Sequence, residues 1–329
     1  MSLFGISNLQ IFEYLNLRIP SQISKIFPHI CAPVNNALKA HISLFTAQII
    51  YALNYSIAKD LMPAHIGPLA LVFLRITGAG LLFWVLSLFT KKEKLAKGDL
   101  KKMALLAVFG VFINQVFFIY GLSLTKPINS AIIMISNPIM VIVFTLIVFK
   151  ERITIFKISG LLLGIVGAVT LLLFKGNFEF GSETIAGDAM TLINSASWAV
   201  FVVTAKPYMQ KYQTVTVMKW IFLFGFFYMI PVGTGDLMKT EFGTWDTNVY
   251  LAVGFVVVAT TFLAYLLNTF ALKDLSPSVV SMYIYTQPFL ATLFAVFLGK
   301  DLLTPTKVLS AVFIIVGVYL VSMKPRIKN

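Results

Sequence analysis

Along this chain, long apolar stretches alternate with short polar breaks, and the stretches run to about 20 residues each. That is the length an α-helix needs to cross a hydrocarbon core of ~30 Å, and a helix satisfies its own backbone groups inside lipid. Ten runs stand out, near 38–59, 67–90, 102–123, 127–149, 154–174, 188–206, 215–235, 247–271, 277–299 and 305–323. The longest breaks, 91–101, 175–187 and 236–246, are charged or rich in Gly, Thr and Asn, and no soluble domain fits between runs. The pattern predicts an all-α, polytopic membrane protein with ten transmembrane helices.

Composition narrows the classes. The chain is 58% hydrophobic and 12% charged, against about 25% charged in ordinary soluble domains, which excludes a water-soluble fold. A mean hydropathy of +0.88 argues against a membrane β-barrel, whose lumen-facing positions are polar at every second residue. A net charge of +13 would suggest nucleic acid in a soluble chain, but assigning the loops alternately to two sides gives another account. One side carries 19 of the 26 Lys and Arg residues and the other 6, while Arg75 lies inside the second run. Under the positive-inside rule this places both termini in the cytoplasm and the protein in the cell (inner) membrane. The charge then reads as an orientation label, and nucleic acid is not an expected partner. The expected partners are the bilayer and a small-molecule substrate, with the chain a monomer or a homodimer.

Cys31 is the single cysteine, and His29, His41 and His65 show no HExxH-like spacing, so neither a metal site nor a cofactor is expected. Residues 1–36 hold no spanning run and no secretory leader pattern. Two readings stay open for them, an amphipathic segment on the inner leaflet or an artefact of start-site choice.

Self-comparison reveals a duplication. Sliding 127–172 by 150 positions aligns it with 277–322 without a gap, and nine positions are identical, among them Pro127/Pro277, Pro138/Pro288, Lys150/Lys300 and Gly167/Gly317. A shift of 147 carries YALNYSIAK at 51–59 onto WAVFVVTAK at 198–206. Spans 1–5 therefore correspond to spans 6–10. Five is odd, so the copies enter the membrane from opposite sides as inverted repeats, a plan that in transporters puts the substrate near the midplane between halves. The expected divisions are an extension at 1–36, a first repeat at 37–174, a connecting loop at 175–187, a second repeat at 188–324 and a basic tail at 325–329.

YALNYSIAK in span 1, FLRITGAGLLF in span 2, the Asn-Pro of SNPIM in span 4 and KERITIFKISGLLLGIVGAVTLL at span 5 resemble the drug/metabolite transporter superfamily, specifically its EamA-type ten-helix members. The resemblance covers about 40–323. It implies ten helices, cytoplasmic termini, a central cavity and movement of small metabolites, frequently export of amino acids or related compounds. Two departures are Tyr51, where Trp is usual, and Phe201, which stands in the second copy where Asn54 stands in the first.

Polar residues within a membrane bundle are costly and usually face its interior or a cavity. Candidate cavity residues are Tyr51 and Asn54 in span 1, Asn194 and Trp198 in span 6, Asn114, Gln115 and Tyr120 in span 3, and Tyr265 and Asn268 in span 8. Asn137 before Pro138 and Gln287 before Pro288 occupy equivalent mid-span positions in spans 4 and 9. Each proline frees a carbonyl about four residues earlier, near Met134 and Ile284, so both prolines are candidate kinks or gates. Tyr283, four residues before Gln287, is expected to share its face. For each set the alternative is plain interhelical packing or hydrogen bonding. Arg75 is assigned a structural role, with attraction of a substrate carboxylate as the alternative, and Gly160 and Gly164 are read as packing positions.

Nothing in the spans supplies a carboxylate pair, a GxGD motif or a Ser/His/Asp set, so no enzyme is expected. No Asp or Glu lies mid-span, which disfavours coupling through a buried carboxylate; coupling would have to use Asp60, His41 or Asp301. The leading expectation is a secondary transporter exporting amino acids or related compounds by alternating access. A multidrug or other metabolite permease is the alternative, and a non-transporting membrane protein a distant third.

Overall fold

The computed structural model describes residues 36–150, 154–173, 183–297 and 304–323; most of the N-terminal extension, Glu151, Asp301 and the basic tail lie outside them. Among the described residues all regular structure is helical. The helices are α1 (Asn36–Leu61), α2 (Pro68–Leu88), α3 (Asp99–Leu124), α4 (Pro127–Phe149), α5 (Ile155–Leu173), α6 (Ile185–Lys211), α7 (Thr214–Met238), α8 (Thr247–Asp274), α9 (running from Pro277 to Phe297) and α10 (Pro305–Ser322). Eight are long and apolar enough to cross a membrane, the exceptions being α1 and α9. Helix α1 has the length but carries Asn36, Lys39, His41, Gln48, Asn54, Lys59 and Asp60, whereas α9 is broken into short pieces. Outward-facing positions are apolar, as at Leu81, Ile147, Leu162, Leu251 and Tyr319, while Asn54, Arg75, Asn114, Gln115 and Asn194 are buried. Apolar outside and polar inside is the arrangement a lipid solvent selects. The chain is a multi-pass membrane protein.

Contacts between chain ends fix how the helices run. Lys59 near the end of α1 reaches the end of α3, Asp99 at the start of α3 meets Lys211 and Tyr212 at the end of α6, and His41 at the start of α1 meets Tyr283 in α9. One end of the bundle thus gathers the starts of α1, α3 and α9 with the end of α6. The other gathers the ends of α1 and α3 with the starts of α4 and α6, where Thr125 donates to Asp188 at 2.6 Å.

The duplication seen in the sequence recurs as paired contacts. The Lys59 ammonium donates to the carbonyls of Leu122, Ser123 and Thr125, each at 2.9 Å. At the equivalent place in the second half, Lys206 donates to Leu272, Lys273 and Leu275 at 2.7–2.9 Å. Each lysine spends its three donors on carbonyls left over at a helix end, where the dipole also favours a cation. Helices α5 and α10 pack just as reciprocally. A Cβ at Gly160 would lie 2.6 Å from the Gly317 carbonyl and one at Gly167 2.6 Å from the Ser310 carbonyl, so the backbones meet where side chains cannot stand.

Proline and π-type turns interrupt four helices at matched positions. Helix α3 widens into a π segment at Val108–Ile113 and α8 at Val256–Leu263. Helix α4 breaks between Met134 and Asn137, just before Pro138, and α9 tightens into a 3-10 turn at Tyr283–Tyr285 before Pro288. The Tyr285 hydroxyl donates at 3.0 Å to the Ile135 carbonyl exposed by the α4 break. Tyr285 and Ile135 are repeat equivalents, so the two broken helices meet where the halves are related.

Replacing Lys59 with Met, which keeps the stem but removes the donors, should cost roughly 1.5–3 kcal/mol, the range for hydrogen bonds to a charged group. The check is a fall in the unfolding midpoint of purified protein in detergent. Lys59→Arg should recover only part of it, because a planar fork cannot converge on three carbonyls as an ammonium does.

Candidate functional site

The interrupted helices surround a cavity holding about 670 Å³, counting open water at its mouth. Its wall takes Gln48, Tyr51, Asn54 and Tyr55 from α1, Arg75 from α2, and Asn114, Gln115 and Phe118 from α3. Met134 comes from α4, Asn194 and Trp198 from α6, Thr260, Tyr265 and Asn268 from α8, and Val280, Ile284 and Gln287 from α9. Both halves contribute. The mixed apolar and amide lining suits a small molecule with polar groups.

The π segment of α3 sets much of the wall. Ser197 donates to the Phe109 carbonyl at 2.6 Å, the Tyr265 hydroxyl lies 3.1 Å from the Gly110 carbonyl, and Asn194 Nδ2 donates to the Asn114 carbonyl at 2.7 Å. Neutral donors from α6 therefore take carbonyls within and just after the wide turn, and the α8 hydroxyl stands beside a third. Gly110 allows the approach, since a Cβ there would stand 2.2 Å from the Phe201 ring. Tyr265 also donates to Asn114 Oδ1 at 2.7 Å and meets Trp198 edge to face, with centroids 5.6 Å apart and planes at 84°. On the same stretch of wall, close to the Tyr265 and Tyr51 hydroxyls, Arg75 Nε donates to Gln115 Oε1 at 2.9 Å.

Two hydrogen-bonded seams flank the cavity. Between α4 and α6, Asn137 Nδ2 donates to the Ser195 carbonyl at 2.8 Å, with Ser136 and Ser195 hydroxyls 3.3 Å apart. Between α9 and α1, Gln287 Nε2 donates to Gln48 Oε1 at 2.6 Å, and Tyr283 lies 2.7 Å from His41 Nδ1. Asn137 and Gln287 are repeat equivalents, as are Ser195 and Gln48, so equivalent positions are joined twice, once through a backbone carbonyl and once through a side-chain amide.

Of the candidates read from the sequence, Tyr51, Asn54, Asn114, Gln115, Asn194, Trp198, Tyr265, Asn268 and Gln287 line the cavity. Tyr120, Asn137 and Tyr283 do not. Asn137 is buried in the α4–α6 seam, Tyr120 is half-buried on α3, and Tyr283 is turned to His41. The reason for Tyr283 is the 3-10 turn, in which i and i+3 eclipse, so Ile284 rather than Tyr283 shares the face of Gln287. Pro138 sits at the start of the second segment of α4 and Pro288 near the start of the last segment of α9. Gly164 packs on Tyr285, where a Cβ would stand 2.3 Å from the ring. The sequence reading left out Tyr55, Phe118, Thr260 and Val280 and gave Gln48 no place in the wall. For Gln48 and Tyr55 the signal was present, since 48, 51 and 55 form one helical stripe.

An all-helical membrane bundle with a cavity walled by both of its halves is the frame of a membrane transporter. The chain belongs to the EamA-like transporter family, whose profile matches twice, at residues 38–173 and 185–323. An uncharacterized transporter of Archaeoglobus fulgidus is 25% identical over 87% of this chain and 98% of its own length. The uncharacterized transporter YyaM of Bacillus subtilis is 24% identical over 85% of this chain and 92% of its own. A WAT1-related protein of Arabidopsis thaliana is 24% identical, covering 88% and 82%. A crystal structure covering 86% of this chain and 96% of its own superposes with a TM-score of 0.67 at 19% identity, a likeness of fold alone.

Tyr265→Phe should leave Asn114 Oδ1 without its hydroxyl donor, costing about 1–3 kcal/mol of stability. Thermal unfolding in detergent checks it. Tyr120→Phe, outside the cavity, should change the midpoint little.

Proposed function

We propose that this protein is a secondary transporter that carries a small metabolite, with amino acids or related compounds the leading class, by alternating access between two inverted repeats. The observation that carries the reading is the pair of equivalent seams on either side of the cavity. Asn137–Ser195 ties α4 to α6, and Gln287–Gln48 ties α9 to α1. Where a repeat runs oppositely through the membrane, each seam governs access from one face, and rocking the halves opens one as the other closes. The helix breaks beside Pro138 and Pro288 give each seam a hinge. In this reading α1 and α9 also span, making ten passages, and the excess of Lys and Arg on one side places both termini in the cytoplasm of a cell-membrane protein. Export as the direction rests on the family's habit.

Purified protein in liposomes should move one or more neutral metabolites in an uptake screen run with and without an imposed pH gradient. Replacing Asn54 with Leu, or Gln287 with Met, should lower that flux at least tenfold while gel filtration shows a folded protein. Wild-type flux in both variants would remove the cavity as the route. A screen in which the intact protein moves nothing would remove the transport reading.

A further inference from the structure

Arg75 is 3% exposed, and it is the single charged side chain among the described residues of the cavity wall. An unpaired buried charge is far more costly than an unpaired neutral group, so arginines inside membrane bundles have partners that can be named. One partner is Gln115, whose Oε1 accepts from Nε. That bond fixes the guanidinium and also the amide, for an oxygen accepting from arginine turns Nε2 the other way. Both Arg75 Nη1 and Gln115 Nε2 are then buried donors without a hydrogen bond, the neutral hydroxyls of Tyr265 and Tyr51 being the polar groups beside the pair. Freed backbone carbonyls are the usual alternative partners, but in and just after the α3 π segment Phe109 and Asn114 have theirs engaged by Ser197 and Asn194, and the Tyr265 hydroxyl stands 3.1 Å from the Gly110 carbonyl. No carboxylate is among the described residues of the cavity wall.

We infer that Arg75 and Gln115 form an anion subsite and that the cargo presents a carboxylate to it. The inference rests on the transport reading above and narrows its substrate class. A carboxylate supplies what the wall lacks, an acceptor for Nη1, a second for Nε2 and the missing countercharge, in the planar geometry a guanidinium matches best. Two further residues of the wall complement it. Asn194 Nδ2 is committed to the Asn114 carbonyl, so Asn194 Oδ1 is an unpartnered acceptor, as is Asn54 Oδ1, and both can receive N–H groups. Unpartnered donors and unpartnered acceptors in one wall describe a zwitterion such as an α-amino acid. A cationic amine would meet Arg75 with like charge.

The test uses the intact protein in liposomes with matched cargoes: neutral L-amino acids such as leucine, the amide of each, and the amine left when the carboxylate is removed, as isoamylamine is to leucine. Wild type should move at least one acid about 30-fold faster than its amide or amine, the scale of a lost charge-assisted pair. Arg75→Lys and Arg75→Gln should each slow that acid tenfold or more, Gln the more severely, and should narrow the gap between acid and amide. Equal flux of acid and amide in wild type refutes the subsite, needs no variant, and leaves the transporter reading standing. Wild-type acid flux through well-folded Arg75→Gln refutes it as well. If the wild type moves none of these cargoes but moves other metabolites lacking an anionic group, the subsite again falls alone. If it moves nothing, both readings fall.

Discussion

Inside lipid there is no water to accept or donate a hydrogen bond, so each backbone group released from a helix must find a partner in the protein. This structure releases several, at two π segments, two proline breaks and the helix ends, and then supplies donors one by one. Tyr285 serves Ile135, Ser197 serves Phe109, Asn194 serves Asn114, and two lysines serve three carbonyls each. The consequence reaches beyond stability. A donor held by a freed carbonyl has a fixed direction, so the side chains that repair the backbone also build the cavity wall. Asn194 and Tyr265 do both.

That coupling explains which parts could be read from the sequence. The helices were legible because a span needs about 20 apolar residues and breaks show as charge or glycine. The duplication was legible because Pro127/Pro277 and Pro138/Pro288 recur at one offset. Most of the cavity was legible too, since an amide within an apolar run has few places to go except inward. Tyr283 shows where this stops. Reading its face from Gln287 assumes 3.6 residues per turn, and the 3-10 turn at Tyr283–Tyr285 breaks the assumption locally, bringing Ile284 to the cavity. Nor could composition assign Arg75, because its surroundings depend on which neighbours have already filled their hydrogen bonds.

The halves agree where they hold the scaffold and differ where they line the cavity. Lys59 and Lys206 repeat each other atom for atom, Gly160 and Gly167 meet α10 reciprocally, and the Asn137 and Gln287 seams correspond. By contrast Gln115 stands where the second half has Tyr265, Asn114 where it has Ala264, and Asn268 where the first half has Phe118. On the proposed alternating-access reading, symmetric contacts let the two halves swing through equivalent motions. A small metabolite with unlike ends has no two-fold axis, and a symmetric wall would bind it equally well in two orientations. On the proposed reading, unlike side chains at equivalent positions of the cavity wall, Gln115 against Tyr265 and Asn268 against Phe118, would remove that degeneracy.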